Sequence, residues 1–320
     1  SELKLSRLKH INAVLDEEPL FPPEIFNLLL WSSNYYQHPI GEVLSAAIPG
    51  KLRSARPLHP QKMFWRISKK INSKIIEQLT RAPKQKALIE LLLPSEGLSK
   101  QAILDQGFTQ TVIKSLQEKN FVESFEQQAP KTITAKPPPK TNLKALSLNN
   151  EQAAALDAIR KTENKFECFL LDGITGSGKT EVYMQAMQDQ LNAHKQCLVL
   201  VPEISLTPQT VDRFAERFDC QIASLHSGMT DNERLASWTS ARDGSASIVI
   251  GTRSAIFTPL SRPGIIIVDE EHDSSFKQQE GFRYSARDIA VMRGREESVP
   301  VILGSATPSL ESLHNTKLNK

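Results

Sequence analysis

A glycine-rich stretch over residues 170–183 constrains the fold of this chain more than any other feature. It reads LLDGITGSGKTEVY and fits G-x-x-x-x-G-K-T, with Gly173 and Gly178 as the glycines of that pattern. The apolar run before it predicts a buried strand, and apolar residues four apart over 183–191 predict a helix after it. A strand, a glycine loop and a helix in this order direct backbone N–H groups and the positive end of the helix dipole toward an anion.

The same stretch supplies side chains for a nucleotide. Lys179 is expected to reach the β- and γ-phosphates of ATP, and the Thr180 hydroxyl to hold Mg²⁺. A glycine turn that only packs is the alternative interpretation. The residues assigned to the nucleotide are Gly173, Thr175, Gly176, Ser177, Gly178, Lys179 and Thr180.

A second pattern lies downstream, where the apolar run IIIVDEEH over 265–272 ends in acidic residues. Asp269 at the strand end can hold Mg²⁺ through its water shell, because Mg²⁺ prefers hard oxygen ligands. Glu270 is placed to polarise the water that attacks the γ-phosphate. The alternative is a strand that ends in solvated charge.

The second half of the chain alternates apolar runs with helical patterns. The apolar runs are CLVLVPE, SIVIGT, GIIIVDEE and VPVILGSA. Continuous Val, Ile and Leu residues are typical of parallel strands buried on both faces. We therefore expect a doubly wound α/β domain over residues 143–320.

Prolines and polar residues divide the rest of the chain. The stretch APKTITAKPPPKTN over 129–142 excludes a helix or a central strand and predicts a semi-extended linker. A weaker break, SARPLHPQKMFW, follows residue 53 and separates residues 1–55 from 56–128.

Helical patterns occupy both N-terminal parts. A helix opened by prolines at 22 and 23 is expected to pack Ile25, Leu28, Leu29 and Leu30. Three short helices are expected from Pro83, Ser99 and Thr109, followed by a strand over 121–125. Helices followed by a strand favour a winged-helix-like domain over 56–128, and a helical spacer that touches no DNA is the alternative.

Composition sets wider bounds. The net charge of +3 permits nucleic-acid binding without requiring it. Cys168, Cys197 and Cys220 are isolated, which favours reduced thiols over a zinc or redox site. No apolar run approaches the ~20 residues that span a bilayer, and no signal-peptide pattern is present, so we expect a cytoplasmic protein that contacts no membrane. The chain begins without Met and ends soon after GSATPSLESLHN, so we expect a fragment.

Six motifs occur in an order that resembles superfamily 2 DNA helicases and, more narrowly, the primosomal replication-restart helicase (PriA) family. They are GITGSGKTEVY, VPEISLTPQT, HSGMTDNER, GTRSAIFTP, VDEEHDSSFKQQEGFRYSARD and GSATPSLES. The resemblance covers nearly the whole chain, including WSSNYYQHPIGEVL and LNNEQAAALDAI. It implies a RecA-like lobe at 143–320 and, at 1–55, part of a 3′-end DNA-binding domain.

The resemblance also implies roles for residues that spacing alone does not assign. Gln152 would contact the adenine, and His272 would couple nucleotide state to DNA, although a satisfied strand-end histidine is the alternative. Lys9 would contact a 3′ end. The residues that would hold the single-strand backbone are Thr207, Gln209, Thr252, Arg253 and Ser254, with loop and cap chemistry as the alternative. The residues of the loop after DEEH that would stack on bases or pair with phosphates are Phe276, Phe282, Arg283 and Tyr284, with core packing of the rings as the alternative.

The implied function is an ATP-dependent 3′-to-5′ helicase that loads at stalled forks and helps reload the replicative helicase. Forked and single-stranded DNA, primosome proteins and single-strand binding protein are the implied partners of a monomer. A double-strand DNA translocase and a fork-binding adaptor with little hydrolysis are the alternatives. The family also carries a second motor lobe with a catalytic Arg and a zinc module whose Cys ligands this sequence lacks. We therefore expect the isolated chain to hydrolyse ATP slowly.

Overall fold

The computed structural model describes residues 13–54, 58, 61–68, 82–128, 140–141, 146–162 and 165–318. The chain divides into two compact units. One comprises residues 59–131, and the other combines residues 1–58 with residues 132–320. Each unit has its own buried core among the described residues.

Three helices form the N-terminal part. They are α1 (Pro23–Tyr35), α2 (Ile40–Ala47) and α3 (Gly50–Arg53). A proline in the first turn starts α1, as expected, because proline lacks the N–H that a first helical residue leaves unpaired. Ile25, Leu28 and Leu29 are buried as predicted, but Leu30 is 39% exposed, so its predicted packing is wrong. Leu30 lies off the stripe that residues three and four apart share.

The unit of residues 59–131 has the helices and strands of a winged-helix-like domain. Its elements are β1 (Gln61–Ile67), α4 (Pro83–Leu92), β2 (Leu98–Ser99), α5 (Lys100–Asp105), α6 (Gln110–Glu118) and β3 (Val122–Gln128). The strands form an antiparallel sheet in the order β2-β1-β3. The predicted helix starts are confirmed, and Ser99 caps α5 by accepting a hydrogen bond from the Ala102 N–H at 3.2 Å. β1 was not predicted, because the prolines before it indicated only a break.

A six-stranded parallel sheet organises the other unit, in the order β5-β11-β10-β6-β9-β8. This confirms the predicted doubly wound α/β lobe. Its elements, with the two short strands β4 and β7 that pair separately, are β4 (Lys140–Thr141), α7 (Asn150–Arg160), β5 (Cys168–Asp172), α8 (Lys179–Asn192), β6 (Gln196–Leu200), α9 (Pro208–Arg217), β7 (Phe218–Asp219), β8 (Ile222–Leu225), α10 (Asp231–Arg242), β9 (Ile248–Gly251), β10 (Pro263–Asp269), α11 (Ala286–Glu297), β11 (Val301–Ser305) and α12 (Leu310–Lys317).

Both faces of the parallel sheet are covered. Ile265 and Ile267 of β10 pack into one cluster with residues of α7, α8 and α9, whereas Ile266 and Val268 pack into a second cluster on the other face. This alternation follows from the two-residue period of a strand. Continuous apolar runs in the central strands are therefore explained by burial on both sides.

The N-terminal helices belong to the second of these clusters. α1 packs against α11, and Phe21 lies edge-on to Trp238 with ring centroids 6.1 Å apart. The Arg242 guanidinium donates to the carbonyl oxygens of Leu20 at 3.0 Å and Pro19 at 2.8 Å. The described part of residues 1–58 thus shares a core with the lobe. Of the predicted linker, Lys140–Thr141 forms β4 and the other residues lie outside the described ranges.

A buried ion pair inside α11 gives a test of this packing. Arg293 is fully buried, donates to the Glu297 carboxylate at 3.0 Å and donates to the Ile256 carbonyl at 2.7 Å. Glu297→Ala should destabilise the chain by about 3–5 kcal/mol, because it leaves the guanidinium charge buried without its carboxylate. Urea denaturation measures the change, with the exposed neighbour Glu296→Ala as the control. Equal stability of the two variants would contradict the role of the pair.

Candidate functional site

The glycine-rich loop lies between the end of β5 and the start of α8. Gly176 and Gly178 have φ values of 81° and 83°, in the left-handed region that side chains disfavour. Gly178 is the N-cap residue of α8, and a Cβ on it would collide with the Gln152 amide. The loop therefore requires glycine at these positions and presents the N-terminus of a 14-residue helix.

Lys179 lies over this loop. Its ammonium donates to the Gly173 carbonyl oxygen at 2.6 Å. Thr180 follows it in the first turn of α8. Lysine and hydroxyl side chains are thus held beside the unpaired N–H groups of the helix start, as phosphate and metal binding require.

The two carboxylates lie at the end of β10. Asp269 accepts hydrogen bonds on Oδ1 from the Tyr183 hydroxyl and from the Glu270 N–H, each at 3.2 Å. Burial, with the neighbouring Glu270 charge, raises the pKa of the Asp269 carboxyl above its ordinary value. Glu270 has a φ of 49°, an unusual backbone for a residue with a side chain.

A cavity of about 560 Å³ brings the loop and the carboxylates together. Its lining includes Asp269, Glu270 and six of the seven loop residues assigned to the nucleotide, the exception being Gly173. The other lining residues are Leu146, Glu181, Met184, Arg213, Glu216 and Arg217. Neither Gln152 nor His272 lines this cavity.

The Gln152 side chain contacts the glycine loop from the first turn of α7. Its side chain forms a capping box with Asn149 at the start of α7. Its Nε2 also donates to the Ser177 carbonyl oxygen at 2.7 Å, and its Oε1 accepts from the Asn149 N–H at 2.9 Å. In this conformation the amide joins the glycine loop, at Ser177, to the start of α7, at Asn149.

His272 joins the DEEH stretch to the following motif. Its Nδ1 lies 2.7 Å from Ser305 Oγ, which also accepts a hydrogen bond from the Thr307 N–H at 3.0 Å. Glu270 lies 3.7 Å from the same ring nitrogen. The histidine thus links the second carboxylate to the GSATPS segment.

Sequence reasoning missed the part played by Glu271. Its carboxylate is buried and accepts from Arg287 at 3.1 Å, from the Ser309 N–H at 2.7 Å and from Ser312 at 2.9 Å. These contacts tie β10 to α11 and to the start of α12. The sequence signal for this role was a third acidic residue in the DEEH run, next to Glu270 and His272, which already had predicted roles.

The residues predicted to hold a DNA backbone lie at the starts of two helices: α9, which includes Gln209, and a short 3₁₀ helix that begins at Arg253. Thr207 and Gln209 are exposed, although the Thr207 hydroxyl also caps α9 at 3.3 Å from Thr210 N. Thr252 is buried and Ser254 is half-buried. Arg253 donates to the carbonyl oxygens of Ser275 at 2.8 Å and Lys277 at 3.0 Å, so its guanidinium holds the loop after DEEH.

The rings of that loop are core residues. Phe276, Phe282 and Tyr284 are buried, and Phe282 lies 5.9 Å from Tyr36 of the N-terminal helices. The prediction that these rings stack on bases does not hold in this conformation, because their faces pack against protein. Arg283 is exposed between two of the buried rings. Lys9 lies outside the described residues.

The donor set suits Mg²⁺ rather than a dedicated metal cage. Across the described ranges, no group of three or more His, Cys, Asp or Glu side chains is placed to hold a metal ion. Thr180 and Asp269 offer hard oxygen atoms to one cavity. Mg²⁺ typically keeps several waters and uses one or two carboxylates together with substrate phosphates.

No described helix is both long and apolar enough to cross a bilayer.

Comparison with known proteins identifies two regions. Residues 149–316 match the DEAD/DEAH box helicase family, and residues 1–49 match the 3′DNA-binding domain (3′BD). The replication restart protein PriA of Haemophilus influenzae is 42% identical over 100% of this chain and 44% of its own length. The Bacillus subtilis protein of the same name is 39% identical over 78% of this chain and 34% of its own length.

The chain thus spans less than half the length of the curated relatives it matches. Among solved structures, RecG bound to a three-way DNA junction has a TM-score of 0.40 at 26% identity, covering 56% of this chain and 25% of RecG. A DEAD box protein from Methanococcus jannaschii has a TM-score of 0.34 at 16% identity, covering 56% of this chain and 53% of that protein.

Close packing of Tyr183 on β11 generates a test of the site. A Cβ on Gly304 would collide with the Tyr183 hydroxyl, which holds Asp269. Gly304→Ala should destabilise the chain by about 1–3 kcal/mol through overpacking, and Tyr183→Phe should recover part of the loss. Urea denaturation measures both effects. Gly41→Ala is the control, because no atom lies within 4 Å of its added Cβ. A Gly304→Ala variant as stable as the parent would contradict the contact.

Proposed function

This chain belongs to the DEAD/DEAH box helicase family and resembles the PriA proteins along its whole length, and from that premise we propose that it carries the ATP-binding motor lobe of a 3′-to-5′ DNA helicase of replication restart. The single observation that carries the proposal is the meeting of the glycine loop, Asp269 and Glu270 at one cavity. These are the groups that phosphoryl transfer to water requires.

Each residue has a defined task in this proposal. Lys179 and the N–H groups at the start of α8 bind the phosphates of ATP. Thr180 and Asp269 would hold Mg²⁺, which neutralises the charge that develops on the phosphates. Glu270 orients and polarises the attacking water from the end of β10. The hydrogen bond from the Tyr183 hydroxyl positions Asp269 for its contact with the metal.

Coupling to DNA runs through the contacts that join DEEH to its neighbours. The His272 to Ser305 contact links the catalytic carboxylate to the GSATPS segment, and Arg253 links a predicted backbone-binding segment to the loop after DEEH. We propose that hydrolysis moves these segments together along single-stranded DNA. The match of residues 1–49 to a 3′DNA-binding domain supports binding at forks. Primosome proteins and single-strand binding protein are the proposed partners of a cytoplasmic monomer.

One observation favours a second candidate, a translocase that moves on duplex DNA without separating its strands. The rings that were expected to stack on single-strand bases are buried. A strand-displacement assay on a forked substrate, with the full-length protein that contains this chain, separates the two. Displacement of the annealed strand supports the helicase, and ATP-driven movement without displacement supports the translocase.

Lys179→Ala should weaken ATP·Mg²⁺ binding by about ten-fold or more, because it removes a charge-assisted contact to phosphate. Affinity for single-stranded DNA should stay within about two-fold. Calorimetric titration of ATP and fluorescence anisotropy of labelled DNA measure the two. The exposed Lys161→Ala is the control. Unchanged ATP affinity in Lys179→Ala would remove the basis of the site assignment.

Arg283→Ala should lower affinity for single-stranded DNA by roughly three- to ten-fold, as expected for one phosphate contact, and should leave thermal stability unchanged. Phe282→Ala should instead lower stability by about 3–5 kcal/mol, because Phe282 is 5% exposed in the core. DNA titrations at two salt concentrations and thermal melts distinguish the loss of DNA affinity from the loss of stability. DNA affinity insensitive to Arg283→Ala would show that this loop does not contact DNA.

The 320-residue chain by itself should hydrolyse ATP at a small fraction of one turnover per second, with or without single-stranded DNA. The resemblance places the catalytic Arg in a second motor lobe, and such an Arg contributes about 10³–10⁵ in rate. A steady-state phosphate-release assay measures this. Turnover near one per second would contradict the need for a further lobe.

A further inference from the structure

A second cavity, of about 280 Å³, is lined by residues of α2, α3 and α10 and of the 3₁₀ helix that follows β9. It is named here the α3–α10 cavity. It shares no lining residue with the nucleotide cavity. Its polar lining residues are Arg53, Asp231, Arg234, Trp238, Ser254 and Thr258.

Two arginines bring guanidinium groups to this cavity from different helices. The Arg53 Nε donates to the Ile48 carbonyl oxygen at 3.0 Å, and the Arg234 Nη2 donates to the His226 carbonyl oxygen at 2.5 Å. Within the described ranges, neither guanidinium pairs with a carboxylate. Each side chain is therefore oriented by one nitrogen, and its charge remains available to an anion.

The Trp238 indole N–H is a third donor at the cavity. Trp238 is 3% exposed, and its Nε1 has no hydrogen-bond partner in the part of the chain that the structure describes. A buried indole N–H usually has an acceptor. Since Trp238 lines the cavity, an acceptor bound there would supply the missing hydrogen bond.

The donor set favours a phosphate group over a carboxylate. Donors come from three separate segments, because the hydroxyls of Ser254 and Thr258 add to the arginines and the indole. A tetrahedral phosphate presents oxygens in several directions, whereas the two oxygens of a carboxylate lie in one plane. Among the described lining residues, Asp231 is the only acidic one, so two arginines outweigh one carboxylate.

We propose that the α3–α10 cavity binds one phosphate group, which Arg53 and Arg234 pair with and to which the Trp238 indole N–H donates. The phosphate belongs either to the backbone of bound DNA or to a free phosphate ion. In the first case the site extends the backbone contact expected of Ser254, and that case rests on the proposed function. In neither case does the site need the nucleotide cavity.

Intrinsic tryptophan fluorescence of the 320-residue chain, titrated with inorganic phosphate, reports on this site through Trp238. The signal should change with phosphate but not with sodium chloride at equal ionic strength. Trp238→Phe keeps an aromatic ring without the N–H and should abolish the response. Arg53→Ala and Arg234→Ala should each raise the half-saturating phosphate concentration about five- to ten-fold.

Three further measurements control this titration. Arg295→Ala, exposed on α11, should respond as the parent chain does. Lys179→Ala should keep the half-saturating concentration within about two-fold, because the glycine loop is not part of the site. Thermal melts identify any variant that does not fold, and the exposed Arg53 gives the variant expected to melt as the parent does.

A second titration identifies the source of the phosphate. If it belongs to DNA, Arg53→Ala should weaken binding of a labelled oligothymidylate about three- to ten-fold and reduce the salt dependence by about one phosphate contact. Fluorescence anisotropy measures both. An impaired phosphate response with unchanged DNA affinity assigns the cavity to a free phosphate ion.

Three outcomes would overturn the proposal. They are a parent chain without a Trp238-dependent response to phosphate, a response that neither arginine substitution changes, and an equal response to sodium acetate. A parent chain that shows the phosphate response but does not bind ATP would contradict the proposed function and leave this site in place.

Discussion

The register among three neighbouring strands is the constraint on which the site depends. Asp269 of β10 lies opposite Gly304 of β11, which in turn lies opposite Leu171 of β5. This register places the carboxylates and the start of the glycine loop at one edge of the sheet. A slip of one residue would turn Asp269 to the other face. Gly304 also leaves the space that the Tyr183 hydroxyl needs to reach Asp269.

The four residues of DEEH contact the cavity and several neighbouring elements from this edge of the sheet. Asp269 and Glu270 face the cavity, Glu271 is buried against Arg287, Ser309 and Ser312, and His272 contacts Ser305. In the proposed function, these four successive residues would serve the metal, the water, the packing of α12 and the link to the next motif. A change at the γ-phosphate would then reach the neighbouring segments through direct contacts.

The glycine loop and the two carboxylates of the candidate site could be predicted from the sequence, because glycine at positive φ and acidic residues at strand ends are local requirements. The starts of α4, α5 and α6 were predictable for the same reason, as were the parallel strands. Burial of Phe282 was not, since it depends on packing against Tyr36, far away in sequence. Glu271 was missed because its partners, Arg287, Ser309 and Ser312, come from elements later in the chain. β1 was missed because its longest pairing is with β3, about sixty residues later.

A crystal structure of the chain with a non-hydrolysable ATP analogue and Mg²⁺ tests the central claim most directly. The account predicts phosphates on the N–H groups of residues 176–180 and a metal ion between Thr180 and Asp269, with Glu270 facing the γ-phosphate. A nucleotide bound elsewhere, or one whose phosphates lie away from Lys179, would contradict it.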